Sequence, residues 1–335
     1  MKVLVTGGAG YIGSIVVEQL LEGGYEVVVV DNLKEGHREA VLPGAEFYEG
    51  DFGDRELLRG IFGEHKIDAV LHFAAEAQVA DSMTDPHKYF LTNVSKGLVL
   101  LEAMRAHGCD RFIFSSTAAT FGEPKYTPID EEHPQEPINA YGESKLMFEK
   151  ILDWYHKAYG LKFMSFRYFN AAGASKRLGE DHRPETHLIP VVLQVALGRR
   201  EHVEVYGTDY PTKDGTPVRD YIHVIDLGKA HILGLEKLDS FPDGKYNLGN
   251  GEGFTVLEVI ETAEEVTGRK IPYRPAPRRP GDPAVLVASS RKAARELGWE
   301  PEFPELREII RSAWEWQGRH PGGYGPVEFM GETCP

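Results

Sequence analysis

Residues 2–14, KVLVTGGAGYIGS, run from a β-branched strand-like segment through a turn holding Gly7, Gly10 and Gly13 into the first turn of an amphipathic helix. Nothing else in the chain restricts the fold as tightly. Glycine at these positions permits a tight turn, lets backbone approach a pyrophosphate, and packs the helix on the strand. The helix N-terminus adds unbonded N–H groups and a partial positive charge. Glycine turns also join strands to helices in proteins that bind nothing, so the string alone is weak. Asp31 strengthens it, because it closes the run YEVVVVD (25–31) eighteen residues after Gly13. A dinucleotide fold holds there the carboxylate that bonds the adenosine ribose. An acid at that place repels a 2′-phosphate, which favours NAD over NADP.

The alternation continues through AEFYEGD (45–51), DAVLHFA (68–74) and RFIFSS (111–116), with helical segments starting near Tyr11, Arg55 and Asp85. Unbroken Val, Ile, Leu and Phe runs are the mark of strands buried on both faces, and βαβα order predicts a parallel sheet. A long helix carries YGESKLMFEKILDWYHKAYG, closed by Gly160, and leads to the strand candidate LKFMSFRYF. After Asn170 the chain turns to loops rich in Gly, Pro, Asp and Arg. The expected class is α/β: a Rossmann-like doubly wound parallel sheet with a smaller mixed α/β substrate-binding lobe. Residues 1–170 form the NAD-binding domain, segments near 221–249 return to it, and 171–335 are mainly the substrate lobe.

With 335 residues the chain buries a sizeable core unaided. Its net charge of −15 disfavours nucleic acid. Cys109 and Cys334 lie too far apart in sequence to suggest a disulfide framework, which favours a reducing, cytoplasmic setting. No apolar run reaches membrane-spanning length and no signal segment opens the chain, so no membrane partner is expected. No metal-ligand spacing is read from the sequence.

Tyr141 and Lys145 stand four apart in a helical segment and therefore share a face. Alone, that spacing is more often a solvated face. Here it follows a dinucleotide loop and the hydroxyl cluster SSTAAT (115–120). A phenol of pKa about 10 is a poor base at neutral pH, and a nearby ammonium and a positive nicotinamide ring favour its anion. Tyr141 then takes a proton from a substrate alcohol, which Thr117 or Ser116 holds in line. Asp51 either bonds the adenine amine or simply forms a turn. The small residues of HFAA (72–75) either lie against a cofactor or pack closely.

VTGGAGYIGS, DNL, EGD, FSSTAATFG, YGESKLMFE, RYFNAAGA, YGTDYPTKDGTPVRDYIHV, YNLGNG and RRPGDPA together resemble the extended short-chain dehydrogenase/reductases. Within that family the long DYPTKDGTPVRDYIHV string is similar to the UDP-glucose (UDP-galactose) 4-epimerases. The resemblance implies NAD held by Gly7, Gly10, Tyr11, Ile12, Gly13, Asp31, Asn32, Asp51, Phe52, Phe73, Ala74, Tyr141, Lys145, Tyr168 and Phe169. Thr117, Tyr141 and Lys145 become catalytic. Asn170 and Leu188 face the substrate, Arg219 and Arg279 clamp its diphosphate, Asp282 meets the uridine ribose and Tyr206 the uracil. His187 either touches the phosphates or is structural. Arg219 has a plainer alternative, an ion pair with Asp220. Ala77 stands where many members carry a lysine that approaches the cofactor. Ile15 stands where histidine is common, which is read as helix packing. Leu286 occupies a position thought to sort sugars by size.

UDP-galactose and UDP-glucose are the implied substrates, interconverted through a 4-keto sugar, and a homodimer through two helices of the cofactor domain is implied. Rivals are a 4,6-dehydratase, disfavoured because Ala118 and Ala119 follow Thr117 in place of an Asp-Glu pair, a UDP-N-acetylhexosamine or UDP-uronic acid 4-epimerase, and a non-catalytic NAD sensor, which would lose the tyrosine or the lysine.

Overall fold

Strands whose side chains are buried on both faces need cover on both sides, and the valine runs obtain it. The computed structural model describes residues 1–279 and 282–325. β1 (Lys2–Thr6), β2 (Glu26–Asp31), β3 (Ala45–Glu49), β4 (Ala69–His72), β5 (Arg111–Thr117) and β6 (Lys162–Tyr168) run parallel. The short β7 (Asn170–Ala172), β8 (Val203–Tyr206), β9 (Val218–Arg219) and β10 (Tyr221–His223) lie outside this sheet, and β11 (Asp243–Leu248) returns to it beside β6. The seven strands have the order β11-β6-β5-β4-β1-β2-β3, so strand order reverses between β1 and β4. Such a switch point opens a crevice at the C-terminal strand ends, where doubly wound sheets bind ligands.

α1 (Tyr11–Glu22) buries Val16, Val17 and Leu20 on one face of the sheet, beside Leu227, Ala230 and Leu235 of a helix in the returning segment. The other face is covered by α2 (Arg55–Glu64) and by a continuous path from α3 (Val79–Ser82) and α4 (Pro86–Phe90), through a π-turn at Leu91–Lys96, into α5 (Gly97–Ala106). α6 (Ala140–Tyr159) completes that layer with Phe148 and Leu152. Each such side chain contributes about 1.5–3 kcal/mol by leaving water. The Asn139 side chain accepts the Gly142 N–H at the start of α6, and Gly160 ends it with a positive φ of 74°. A Cβ there would cost energy.

Two strands are shorter than their apolar runs. β4 stops at His72 because the next two amides, Phe73 and Ala74, both donate to the Thr6 carbonyl, at 2.9 and 3.0 Å. β3 stops at Glu49, where the chain turns away through Gly50. No helix among the described residues is long and apolar enough to cross a membrane.

In the second lobe α7 (Leu188–Ala196) packs with helices Val256–Thr267 and Leu306–Arg319 around Val192, Leu193, Ile260 and Ile309. α8 (Val224–Lys237) is the returning-segment helix that lies against α1. Between the lobes sits Asp220, fully buried. Its carboxylate accepts the amides of Asn250, Gly251 and Ala288 at 2.8, 3.0 and 3.0 Å. Burial pushes its pKa up to about 6 against the pull of those amides. An Asp220→Asn side chain has one acceptor oxygen instead of two, which strands at least one buried N–H. Its cost is expected to be about 1–3 kcal/mol, read as a lower urea midpoint, and an unchanged midpoint would remove this junction role.

Candidate active site

The glycine turn occupies the crevice at the switch point. Gly7 has a φ of +76°, and a Cβ on it would lie 2.5 Å from the Ala74 nitrogen. A Cβ on Gly13 would fall 2.1 Å from the Gly7 oxygen. Both glycines are therefore required by packing. Gly10 differs, since its Cβ would meet only the Gly7 oxygen at 3.4 Å, leaving an open flank. Gly10 is the N-cap of α1, where no side chain caps the amides of Tyr11 and its successors. Tyr11 donates its hydroxyl to the Gly173 carbonyl across the lobes at 2.7 Å, and Ile12 packs on the core.

Asp31 accepts the Ala9 and Leu33 amides at 3.0 and 2.9 Å, one on each oxygen. Burial raises its pKa and those amides oppose the rise. A carboxylate has about four lone-pair directions, so this one retains acceptor capacity for a diol. Asn32 turns the loop by accepting the Lys34 amide at 3.1 Å. Open backbone at Gly10, a free helix N-terminus and a half-used carboxylate at the end of β2 fit the pyrophosphate and ribose of NAD. Phe73 lies tilted against His231, whose ring centre is 4.8 Å away, and the Tyr168 hydroxyl lies 3.0 Å from the same imidazole. The Phe169 amide donates to Leu248. Asp51 makes the turn foreseen as its plainer role, accepting the Gly53 amide at 2.8 Å, and also pairs with Lys96. Phe52 is buried against His72.

On α6, Tyr141 is half-buried and Lys145 buried. The Lys145 ammonium nitrogen donates to the Ser115 carbonyl at 2.9 Å and lies 4.9 Å from the Phe114 ring centre. The choice between the two hydroxyls is decided by hydrogen bonding. Ser116 donates to Glu149 at 2.5 Å, whereas Thr117 neighbours the Tyr141 phenol and accepts the Ala119 amide. Glu149 is also gripped by Arg167 through two bonds of 3.0 and 2.6 Å. Burial pushes Glu149 up, but the Arg167 charge and both donors outweigh it and hold the carboxyl below its ordinary range.

Within the protein alone, burial raises the pKa of the Tyr141 phenol and the Thr117 hydrogen bond opposes the rise. Lys145 itself is depressed to about 7 by burial, with Glu149 pulling the other way. Desolvation disfavours either charge when two titratable groups leave water together.

Asn170 reaches back to the Asp220 carbonyl at 2.8 Å. The alternative pairing of Arg219 with Asp220 is not what forms. Arg219 donates to the Val218 carbonyl at 2.7 Å and pairs with Asp282, bringing the expected phosphate-binding and ribose-binding residues together. Leu286 is in register with Arg219 on the neighbouring strand. The Arg279 guanidinium lies 4.0 Å over the Tyr206 ring, and Arg278 lies 4.0 Å over Tyr210. Pro280 and Gly281 of the RRPGDPA string, and Cys334, lie outside the described residues. His187 caps α7 ahead of Leu188, its Nδ1 2.8 Å from Glu180 and 2.9 Å from Glu185. Next to Ala77, Glu76 holds Lys34 and Lys88 at 2.6 and 3.0 Å.

Sequence reasoning missed the buried Glu149–Arg167 pair, the partners of His187, and Asn93. Asn93 sits in the π-turn, accepts the Glu76 amide and donates to Ser144. An arginine inside the largely apolar strand run LKFMSFRYF was a usable signal, since a buried charge requires a partner.

Fold and site define an enzyme of Rossmann architecture that works with a nicotinamide dinucleotide. The chain belongs to the NAD dependent epimerase/dehydratase family, whose model matches residues 3–249. It is 53% identical to a UDP-glucose 4-epimerase of Lacticaseibacillus casei over 328 residues, 97% of this chain and 99% of that protein. A solved UDP-glucose 4-epimerase superposes with a TM-score of 0.95 at 52% identity, covering 97% of this chain and 100% of the other. The Bifidobacterium longum UDP-glucose 4-epimerase, solved with NAD+ and UDP, gives 0.92 at 41% identity, with 96% and 100% covered.

The depressed lysine makes stability depend on pH in a known direction. Between the folded value of about 7 and the ordinary 10.5 the unfolded chain binds more protons at Lys145, so its contribution to stability rises with pH across that window. Comparing urea unfolding at about pH 7 and about pH 9.5, wild type is expected to gain on Lys145→Met by up to about 1.4 kcal/mol per pH unit. A parallel response of the two proteins would contradict the burial of the charge.

Proposed function

We propose that this chain interconverts UDP-galactose and UDP-glucose by removing and restoring hydrogen at C4 of the sugar. The observation that carries the proposal is the Tyr141 phenol beside the Thr117 hydroxyl at the end of β5, followed by Ala118 and Ala119, where a dehydratase needs two carboxyl groups. The named relatives and the NAD-bound and UDP-bound neighbour support the same substrates.

NAD, when bound, supplies hydride acceptance and return at one sugar carbon. Gly7, Gly10 and Gly13 admit its pyrophosphate to the start of α1, and Asp31 takes a ribose hydroxyl. Thr117 holds the C4 hydroxyl in line with Tyr141. The phenol oxygen takes that proton and gives it back after the ring has turned, so the enzyme ends each cycle as it began. Burial makes the bare phenol a reluctant base. Lys145, depressed to about 7, sits near working pH, and a proton on it favours the phenolate one helical turn away. Glu149, pinned by Arg167, keeps that proton affordable in an otherwise dry site. Arg219 and Arg279 bind the diphosphate; guanidinium forks suit paired oxygens. Asp282 and Tyr206 then receive the uridine, which leaves the hexose few fixed contacts and free to rotate.

The protein is further read as a cytoplasmic homodimer. Met147 and Trp154, two turns apart on one face of α6, stand exposed, an apolar patch that a second α6 would cover. Sedimentation is expected to give twice the 37.4 kDa chain mass, and Trp154→Glu to shift it toward one.

Purified protein given UDP-galactose without added NAD should form UDP-glucose, followed through UDP-glucose dehydrogenase. No conversion by cofactor-loaded protein would sink the proposal. Tyr141→Phe should retain cofactor yet lose at least about 100-fold in turnover, whereas Thr117→Ser should lose far less than Thr117→Val.

A further inference from the structure

The segment EDHRPETH (180–187) repeats carboxylate-x-His twice within eight residues. It folds so that one donor atom from each of Glu180, His182, Glu185 and His187 lies within 4.8 Å of all the others. The two carboxyl side chains are only 7% and 4% exposed. Among the described residues neither pairs with a Lys or Arg. Two buried carboxylates therefore face two imidazoles with no Lys or Arg to balance them.

Hydrogen bonding alone serves this arrangement poorly. An imidazole carries at most one hydrogen on Nδ1, yet His187 Nδ1 faces Glu180 at 2.8 Å and Glu185 at 2.9 Å. His182 Nδ1 faces the same two residues at 3.1 and 3.8 Å. Two hydrogens cannot satisfy four approaches, because each points one way. A single cation at the centre reaches all four donors. Zinc bonds of about 2.0–2.2 Å in a tetrahedron separate neighbouring donors by about 3.4 Å. The four spacings above bracket that value. The charges also close: two carboxylates balance one divalent ion while both imidazoles stay neutral.

We propose that Glu180, His182, Glu185 and His187 bind one divalent transition-metal ion of the zinc class through two imidazole nitrogens and two carboxylate oxygens. The mixed set with nitrogen excludes magnesium and calcium, which prefer six or more oxygens. Glu185 is oriented beforehand, since one of its oxygens accepts the Thr186 and His187 amides at 2.8 and 2.7 Å. The ion is structural in position. His187 begins α7, and the His182 ring meets the Tyr11 ring edge-on at 6.4 Å, so the ion fastens the start of α7 beside the first turn of α1. Ligation at Nδ1 leaves the hydrogen of His187 on Nε2, at its exposed edge.

The test uses the untagged full chain, stripped with a chelator, dialysed against zinc chloride and desalted. Elemental analysis is expected to find one zinc per chain, unmoved by excess magnesium, and a raised melting temperature. The Glu180→Gln/His182→Ala variant should bind zinc at least about ten-fold more weakly. In wild type, cobalt chloride should produce the visible absorption of a tetrahedral Co²⁺ site, a readout independent of any variant's folding. Less than about one-tenth of an equivalent of zinc, absence of the cobalt band, or full uptake by a folded variant would each overturn the site and leave a cluster of His–Glu ion pairs.

Discussion

The close approach of β1 and β4 at the switch point is the constraint on which the rest depends. There the Thr6 carbonyl receives the amides of both Phe73 and Ala74, and the Gly7 backbone lies so near Ala74 that a side chain cannot be inserted. The sheet must open at this place because its strand order reverses, and glycine lets the two loops line the opening without filling it. α1 begins from that turn with bare amides. A crevice for an anion follows from backbone geometry before any side chain is considered.

Polar groups around the catalytic helix show a second constraint, the cost of charge without water. Arg167 on β6 and Glu149 on α6 are both buried, and each is tolerable only because the other is present. Ser116 spends its hydroxyl on that pair, which leaves Thr117 as the hydroxyl near Tyr141. Lys145 sits above, close enough to Glu149 to feel it and too dry to hold its proton firmly. The buried pair thereby links sheet packing to the proton affinity of the site.

The second lobe is built of short strands and loops, and single polar residues hold it in place. Asp220 ties three backbone amides from two separate segments, and this positions its neighbours: Asn170 folds back on the Asp220 carbonyl, and Arg219 turns to Asp282. Two arginines, Arg278 and Arg279, lie over the rings of Tyr210 and Tyr206. The 180–187 loop joins the lobes at the start of α7, its carboxylates and imidazoles gathered into one cluster.

Local pattern was enough to determine the parallel αβ order, the helix cap at Gly160, the glycine turn, Asp31 at the end of β2 and the shared face of Tyr141 and Lys145. Each of these depends on residues adjacent in sequence or separated by one helical turn, so periodicity and turn chemistry carry them. Tertiary structure decided everything that depends on partners far along the chain: which hydroxyl meets Tyr141, that Arg219 pairs with Asp282 instead of Asp220, and that Glu149 needs Arg167. It also sets the burial that raises the phenol's pKa against the Thr117 hydrogen bond. Desolvation is set by what surrounds a group, and those surroundings come from strands and loops that the local sequence does not specify.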